Sequence, residues 1–161
     1  MKLLWNKLDP RAKIPQKAHK EDLGFDLYAI DLPIAVMPGE TVMLHTGLRS
    51  IFDTSYGAIV KERGSSPLHI RAGVVEGNYR GEWIIKMTNT ADRPVIFEED
   101  INKGYEDDEF IYYPRNKAVA QIIFIKNYEV ESIEIFDETW QHHVDSEVNG
   151  RGEGGFGSSG K

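Results

Sequence analysis

Through most of this chain apolar residues return at every second position, and that rhythm restricts the fold more than any other feature. In YGAIVKE, Tyr56, Ala58 and Val60 fall on one face; in EWIIKMTN, Trp83, Ile85 and Met87 do the same. TVMLHTGLRSIF alternates after a Pro38-Gly39 turn. AVAQIIFIKNY is nearly continuous in apolar character, broken only by Gln121, and reads as a strand buried on both sides. No long amphipathic helix is evident. Short strands punctuated by Gly and Pro turns predict an all-β domain of the sandwich, barrel or jelly-roll class.

At 161 residues and 40% hydrophobic content the chain has the size of one domain with a core of its own. We expect a β domain over residues 1–148 and a Gly-rich arm over 149–161, since GRGEGGFGSSGK offers little apolar surface to offset ordering entropy. The absence of Cys excludes disulfides, thiolate metal sites and Cys nucleophiles, and suits a reducing cytosol. The opening MKLLWNKLDP lacks the apolar core of a signal peptide, and no later run has membrane-spanning length, so a soluble, cytoplasmic protein without a membrane partner is expected. A formal charge of −7 argues against a nucleic-acid partner, because that affinity comes from many Lys and Arg neutralising phosphates. A small phosphate ligand needs only a few converging cations and N–H groups. The acidic stretch FEEDINKGYEDDEFIYYP, residues 97–114, fails the spacing of a calcium loop and reads as a solvated insertion between strands.

Several short segments carry polar residues that a β core does not require. In LGFDLYA, Asp26 interrupts an apolar run, where a carboxylate must be paired, hydrogen-bonded or near a metal unless it caps its own turn after Gly24. ERGSSP sets the bidentate cation Arg63 beside Gly64, Ser65 and Ser66, a combination that suits phosphate oxygens and also suits an ordinary turn. In AGVVEGNYRGEW, EGNY reads as the tight turn of a hairpin with Glu76 and Tyr79 on its flanks, either a ligand-facing turn or a surface hairpin with solvated charges. Gln121 is an amide within a core strand and needs partners. In the arm, Phe156 has the ring to stack on a base, and Arg151 and Ser158 have the groups to meet phosphates.

In this order the segments resemble the five motifs of the trimeric dUTPases, which hydrolyse dUTP to dUMP and pyrophosphate. The likeness runs from about Gly24 to the end of the chain and is strongest in GFDLYA, AGVVEGNYRGEW and GRGEGGFGSSG. The resemblance implies a jelly-roll-like fold, a homotrimer with shared active sites, and an arm that closes over a neighbour's site. It assigns Glu76 to activating the attacking water, Tyr79 to packing on deoxyribose, and Asp26 to an Mg²⁺ ion held through water. Arg63, Gly64, Ser65, Ser66 and Gln121 match phosphate-binding positions; Gly73 and Val75 match the substrate-facing segment around the third motif. In the arm, Phe156 between Gly155 and Gly157 matches the ring over uracil, with Arg151 and Ser158 on the terminal phosphate.

The chain departs from the family pattern at named positions. Glu76 stands where Asp is usual, RGSS puts a Gly directly after Arg63, Leu23 replaces an Ala, and NKAVAQ brings Lys117 and Ala118 in place of an acid and a base. The implied reaction is in-line attack of water on the α-phosphorus of dUTP, with Glu76 as general base and Mg²⁺ across the triphosphate. Two alternatives remain at this level: a dUTP-binding regulatory protein with little turnover, and a dCTP deaminase, which resembles this chain less because it carries Glu where Lys86 stands.

Overall fold

A computed structural model of the chain describes residues 1–146. The strands in chain order are β1 (Leu4–Lys7), β2 (Phe25–Leu27), β3 (Ala35–Val36), β4 (Thr41–His45), β5 (Leu48–Ile51), β6 (Tyr56–Glu62), β7 (His69–Ala72), β8 (Val74–Val75), β9 (Ile84–Thr88), β10 (Val95–Glu98), β11 (Tyr105–Glu106), β12 (Ile111–Pro114) and β13 (Ala120–Lys126), followed by one helix, α1 (Asp137–Ser146). They pair as β1-β5, β11-β12-β10-β3, β2-β13-β6-β8 and β4-β9-β7. The all-β expectation is met.

The period-two segments set the core. Ala58 and Val60 of β6, Ile85 and Met87 of β9, Trp83 just before it, and Ala120 and Ile122 of β13 are all buried in one cluster with Leu27, Leu44, Leu48 and Val95. Trp83 is held on every side. Its ring N–H donates to Ser50 Oγ at 3.0 Å, its carbonyl accepts from Thr46 Oγ1 at 2.7 Å, and its ring meets Trp5 edge-on at 5.2 Å.

Three expectations need correction. TVMLHTGLRSIF is two strands in different sheets, because Gly47, at φ 66°, breaks the run and turns the chain between β4 and β5. β13 is fully buried on one face only: among the described residues the other face is only partly covered, with Ile125 44% exposed. The stretch 97–114 is not simply a solvated insertion. Its ends belong to β10 and β12, which pair in parallel and bury Phe97 and Tyr113, and only the middle is an excursion.

Contacts divide the chain into two units, Met1–Tyr128 and Glu129–Lys161. The second unit contains α1, whose described residues include none that is buried. Asp137 and Glu138 sit in its first turn and His143 in its last, the charge order that a helix dipole favours. Among the described residues no helix is long and apolar enough to cross a membrane.

Candidate active site

The outward face of the β2-β13-β6-β8 sheet carries the polar residues in rows. Asp26, Gln121 and Lys61 lie in register across β2, β13 and β6; the next row is Ile123, Ile59 and Val74. Glu76, two residues beyond Val74, continues this face past the end of β8. One sheet face therefore holds two polar ends separated by an apolar row.

At the first end the costly Asp26 has its partner. Arg63, directly after β6, places Nε 3.2 Å from Asp26 Oδ1, and both side chains are less than a third exposed. Gln121 donates from Nε2 to the Glu62 carbonyl at 3.1 Å, which satisfies the core amide and ties β13 to the start of the ERGSSP turn. Asp26, Arg63 and Gln121 together line a cavity of about 340 Å³ with Leu23 and Gly24. A cation, an amide and a carboxylate that retains a second oxygen are brought together there. The two serines differ: Ser66 Oγ is engaged with the Leu68 carbonyl at 3.1 Å, whereas Ser65 is exposed beside the phenol of Tyr113. Burial pushes the Tyr113 phenol up, against Ser65 and Arg63 beside it, and the hydroxyl donates to the Ala118 carbonyl at 2.8 Å. Gly64 lies exposed between Arg63 and Ser65.

The second end is the EGNY turn. Tyr79 N–H donates to the Glu76 carbonyl at 3.0 Å, closing a β-turn as expected. It is not the turn of a paired hairpin, because β8 pairs with β6 while β9 pairs with β4 and β7. The link spans two sheets, and side chains rather than a ladder fix its shape. Arg80, though exposed, donates from Nη1 to the carbonyls of Gly77 and Tyr79, each at 2.8 Å, and so clamps the turn. Tyr79 folds its ring over Gly81, where any Cβ would collide with the phenol, and donates to the Glu82 carbonyl at 2.9 Å. Glu82 Oε1 accepts from Gly47 N–H at 2.8 Å and Oε2 meets His45 Nδ1 at 3.0 Å. Upstream, Gly73 lets the chain press on β6: a Cβ there would collide with the Val60 carbonyl.

Val75, Glu76, Tyr79 and Trp83 line a cleft of about 570 Å³, with the Glu76 carboxylate exposed at its edge. Thus the expected residues form two groups, Asp26–Arg63–Ser65–Gln121 and Val75–Glu76–Tyr79, at opposite ends of β6. From Gly57, opposite Glu76, to Arg63 is six residues of extended chain, roughly 20 Å. Arg151, Gly155, Phe156, Gly157 and Ser158 lie outside the described residues. Glu82 and Tyr113 were not singled out from sequence; the signal available for Glu82 was an acid directly preceding a core Trp.

Comparison with known proteins bears on the family and the fold. The family model described as dUTPase matches residues 10–104. A Nautilia profundicola protein named deoxyuridine 5'-triphosphate nucleotidohydrolase is 30% identical over the whole of both chains. Among solved structures, a Staphylococcus bacteriophage 80alpha dUTPase with dUpNHpp is 21% identical, covers 99% of each chain and superposes with a TM-score of 0.68. A dUTPase from phage phi11 of S. aureus that coordinates a structural Mg(II) ion is 17% identical, covers 84% of this chain and 97% of its own, and gives 0.65. With most of the β domain inside the matched region, from Asp26 through the Glu76–Tyr79 turn, the chain belongs to the dUTPase family.

Proposed function

We propose that the protein hydrolyses dUTP to dUMP and pyrophosphate. The observation that carries this reading is the clamped 76–79 turn, which presents main chain, the Tyr79 ring and the Glu76 carboxylate to one cleft. In this reading the flat base lies against the main chain around Gly73 and Val75, and Tyr79 packs on the deoxyribose. Glu76 takes a proton from water as its oxygen bonds to the α-phosphorus, and pyrophosphate leaves with the electron pair of the broken P–O bond. Arg63, Ser65 and Gln121 hold phosphate oxygens, with Ser65 preferred over Ser66 because the Ser66 hydroxyl is already engaged. Arg151, Phe156 and Ser158 complete the site from the arm.

Mg²⁺ fits the donor set: it keeps several waters and takes one or two carboxylates plus substrate phosphates, and Asp26 has an oxygen beyond the one facing Arg63. When bound it would spread the charge of the triphosphate.

The reading also includes a homotrimer with shared sites. The two polar ends of one sheet face are separated by the length of β6, too far for one small nucleotide to use both on a single chain, and the Ile123–Ile59–Val74 row between them supplies an apolar contact. A cytosolic location accompanies the reading, with no Cys to require oxidising conditions.

The test is pyrophosphate release from dUTP, dTTP, dCTP and UTP by the unaltered chain and by Glu76→Gln. We expect release from dUTP alone, and a loss of about 10²–10⁴-fold in kcat for Glu76→Gln with KM little changed. Near-normal hydrolysis by Glu76→Gln would remove the carboxylate from the mechanism. Tight dUTP binding without release would favour a regulatory protein, to which the longer Glu76 in place of Asp gives some motivation.

A further inference from the structure

The excursion between β10 and β12 is acidic by composition, yet its charges are sorted by side. Glu106 is taken by Arg93 Nη2 at 2.8 Å. Asp107 turns its carboxylate onto the N–H groups of Glu109 and Phe110, at 2.9 and 2.8 Å. These bonds, with the Tyr112 hydroxyl and Arg93 nearby, hold the Asp107 carboxyl below its ordinary value, and the charges of Asp107 and Glu98 also bear on the Tyr105 and Tyr112 phenols. What the excursion turns toward the ERGSSP turn is different. A cavity of about 390 Å³ opens there, walled by Ser65, Lys103, Tyr105, Tyr112 and Lys117. Tyr105 and Tyr112 stack with centroids 4.4 Å apart and build one side of it.

Lys103 comes from the excursion and Lys117 from the turn before β13, and the pairing of β12 with β10 and β11 brings the two segments to one cavity. Neither lysine has an ion-pair partner among the described residues, while Glu106, the acid at the same wall, is already neutralised. The wall is therefore net positive inside an acidic protein. Two ammonium groups with rotatable donors, beside the Ser65 hydroxyl, suit a compact polyanion of oxygen atoms rather than an apolar or cationic ligand. Ser65 belongs both to this cavity and to the Arg63 turn, so the two spaces adjoin.

We propose that this cavity is a second anion subsite that binds inorganic pyrophosphate, with Lys103 and Lys117 as its cations. The proposal rests on the hydrolase reading for its ligand: the cavity adjoins the Arg63–Ser65 turn, which in that reading holds the phosphates that leave as pyrophosphate. Neither lysine belongs to the residues that bind dUMP in that reading.

The experiment is calorimetric titration of the full chain with pyrophosphate, inorganic phosphate and dUMP, for the unaltered protein and for Lys103→Ala/Lys117→Ala, alongside product inhibition of dUTP hydrolysis by pyrophosphate. We expect pyrophosphate affinity to fall at least 10-fold in the double variant, with dUMP affinity within 2-fold and the inhibition constant rising in parallel. Lys103→Arg/Lys117→Arg should restore most of the affinity, which a purely structural role would not predict. Unchanged pyrophosphate affinity, an equal loss for dUMP, or no binding by the unaltered chain would each overturn the proposal. Should the alanine variant fail to fold, the Lys103→Gln single variant must still weaken pyrophosphate relative to dUMP, and failure to do so counts against the subsite. Absence of dUTP turnover in the unaltered chain would instead overturn the hydrolase reading, while the lysine-dependent part of the pyrophosphate affinity, measured also in an Arg63→Ala background that disables the phosphate turn, reads the cavity.

Discussion

Arg80 and Asn89 show how single side chains replace the ladders that this topology omits. Arg80 closes a turn whose flanking strands lie in different sheets, donating from one nitrogen to two carbonyls. Arg80→Ala should leave the fold intact but raise KM for dUTP, lowering kcat/KM by about 10-fold as the turn loses its fixed geometry; steady-state kinetics at several substrate concentrations would show it. Asn89, fully buried, donates from Nδ2 to the carbonyls of Val36 and Arg93, each at 2.9 Å, and accepts from Ala91 N–H at 3.0 Å. Asn89→Ala strands those groups away from water. It should cost about 2–4 kcal/mol, read as a lower denaturation midpoint with an unchanged slope.

Between elements, the junctions matter more than the strands. Gly73 sits where β7 gives way to β8 and touches the Val60 carbonyl so closely that Gly73→Ala must push β8 off β6. Loss of at least about 2 kcal/mol is expected, with dUTP affinity falling as well, since β8 leads into the 76–79 turn. The His45–Glu82 contact joins β4 to the segment before β9. Its hydrogen bond to Glu82 raises the His45 pKa above its ordinary 6.5. Burial pushes the Glu82 carboxyl up, but His45 and the Gly47 N–H outweigh it and bring it below 4.5. The histidine's share of stability is complete below pH 6.5 and disappears as pH rises through its raised value. The carboxylate's share is present above pH 4.5 and disappears as pH falls through its lowered one. A His45→Gln variant should therefore lose most melting temperature, relative to the unaltered chain, near pH 5–6 and least at pH 8–9; the effect is small, as for other exposed pairs. Strands were legible where alternation was clean, as in β6 and β9, because one face is core and the other is not. The break at Gly47 was hidden because its cause is tertiary: Glu82, distant in sequence, takes the Gly47 N–H. The short helix α1 escaped because Trp140 and Val144 are its only large apolar residues at helical spacing.

At the scale of the molecule, residue types in order were enough to select the candidate site, but not its division into two ends. Pairing register decides that division, and a one-residue shift of β8 on β6 would turn Glu76 to the opposite face. Ser65 could not be separated from Ser66 in the sequence, since what distinguishes them is the bond from Ser66 to the Leu68 carbonyl. The same limit applies to β13: continuous apolar residues predicted cover on both faces, whereas among the described residues one face stays partly exposed.

The length of β6 has a genetic consequence. Chains lesioned at Arg63 and chains lesioned at Glu76 would each be inactive alone, but when unfolded together and reassembled they should rescue one another. Random mixing of equal amounts places an intact Arg63 end against an intact Glu76 end in about a quarter of the sites. Recovery of that fraction of dUTP turnover would mean that the two halves of each site are inherited from different molecules, and no recovery would mean that each chain works alone.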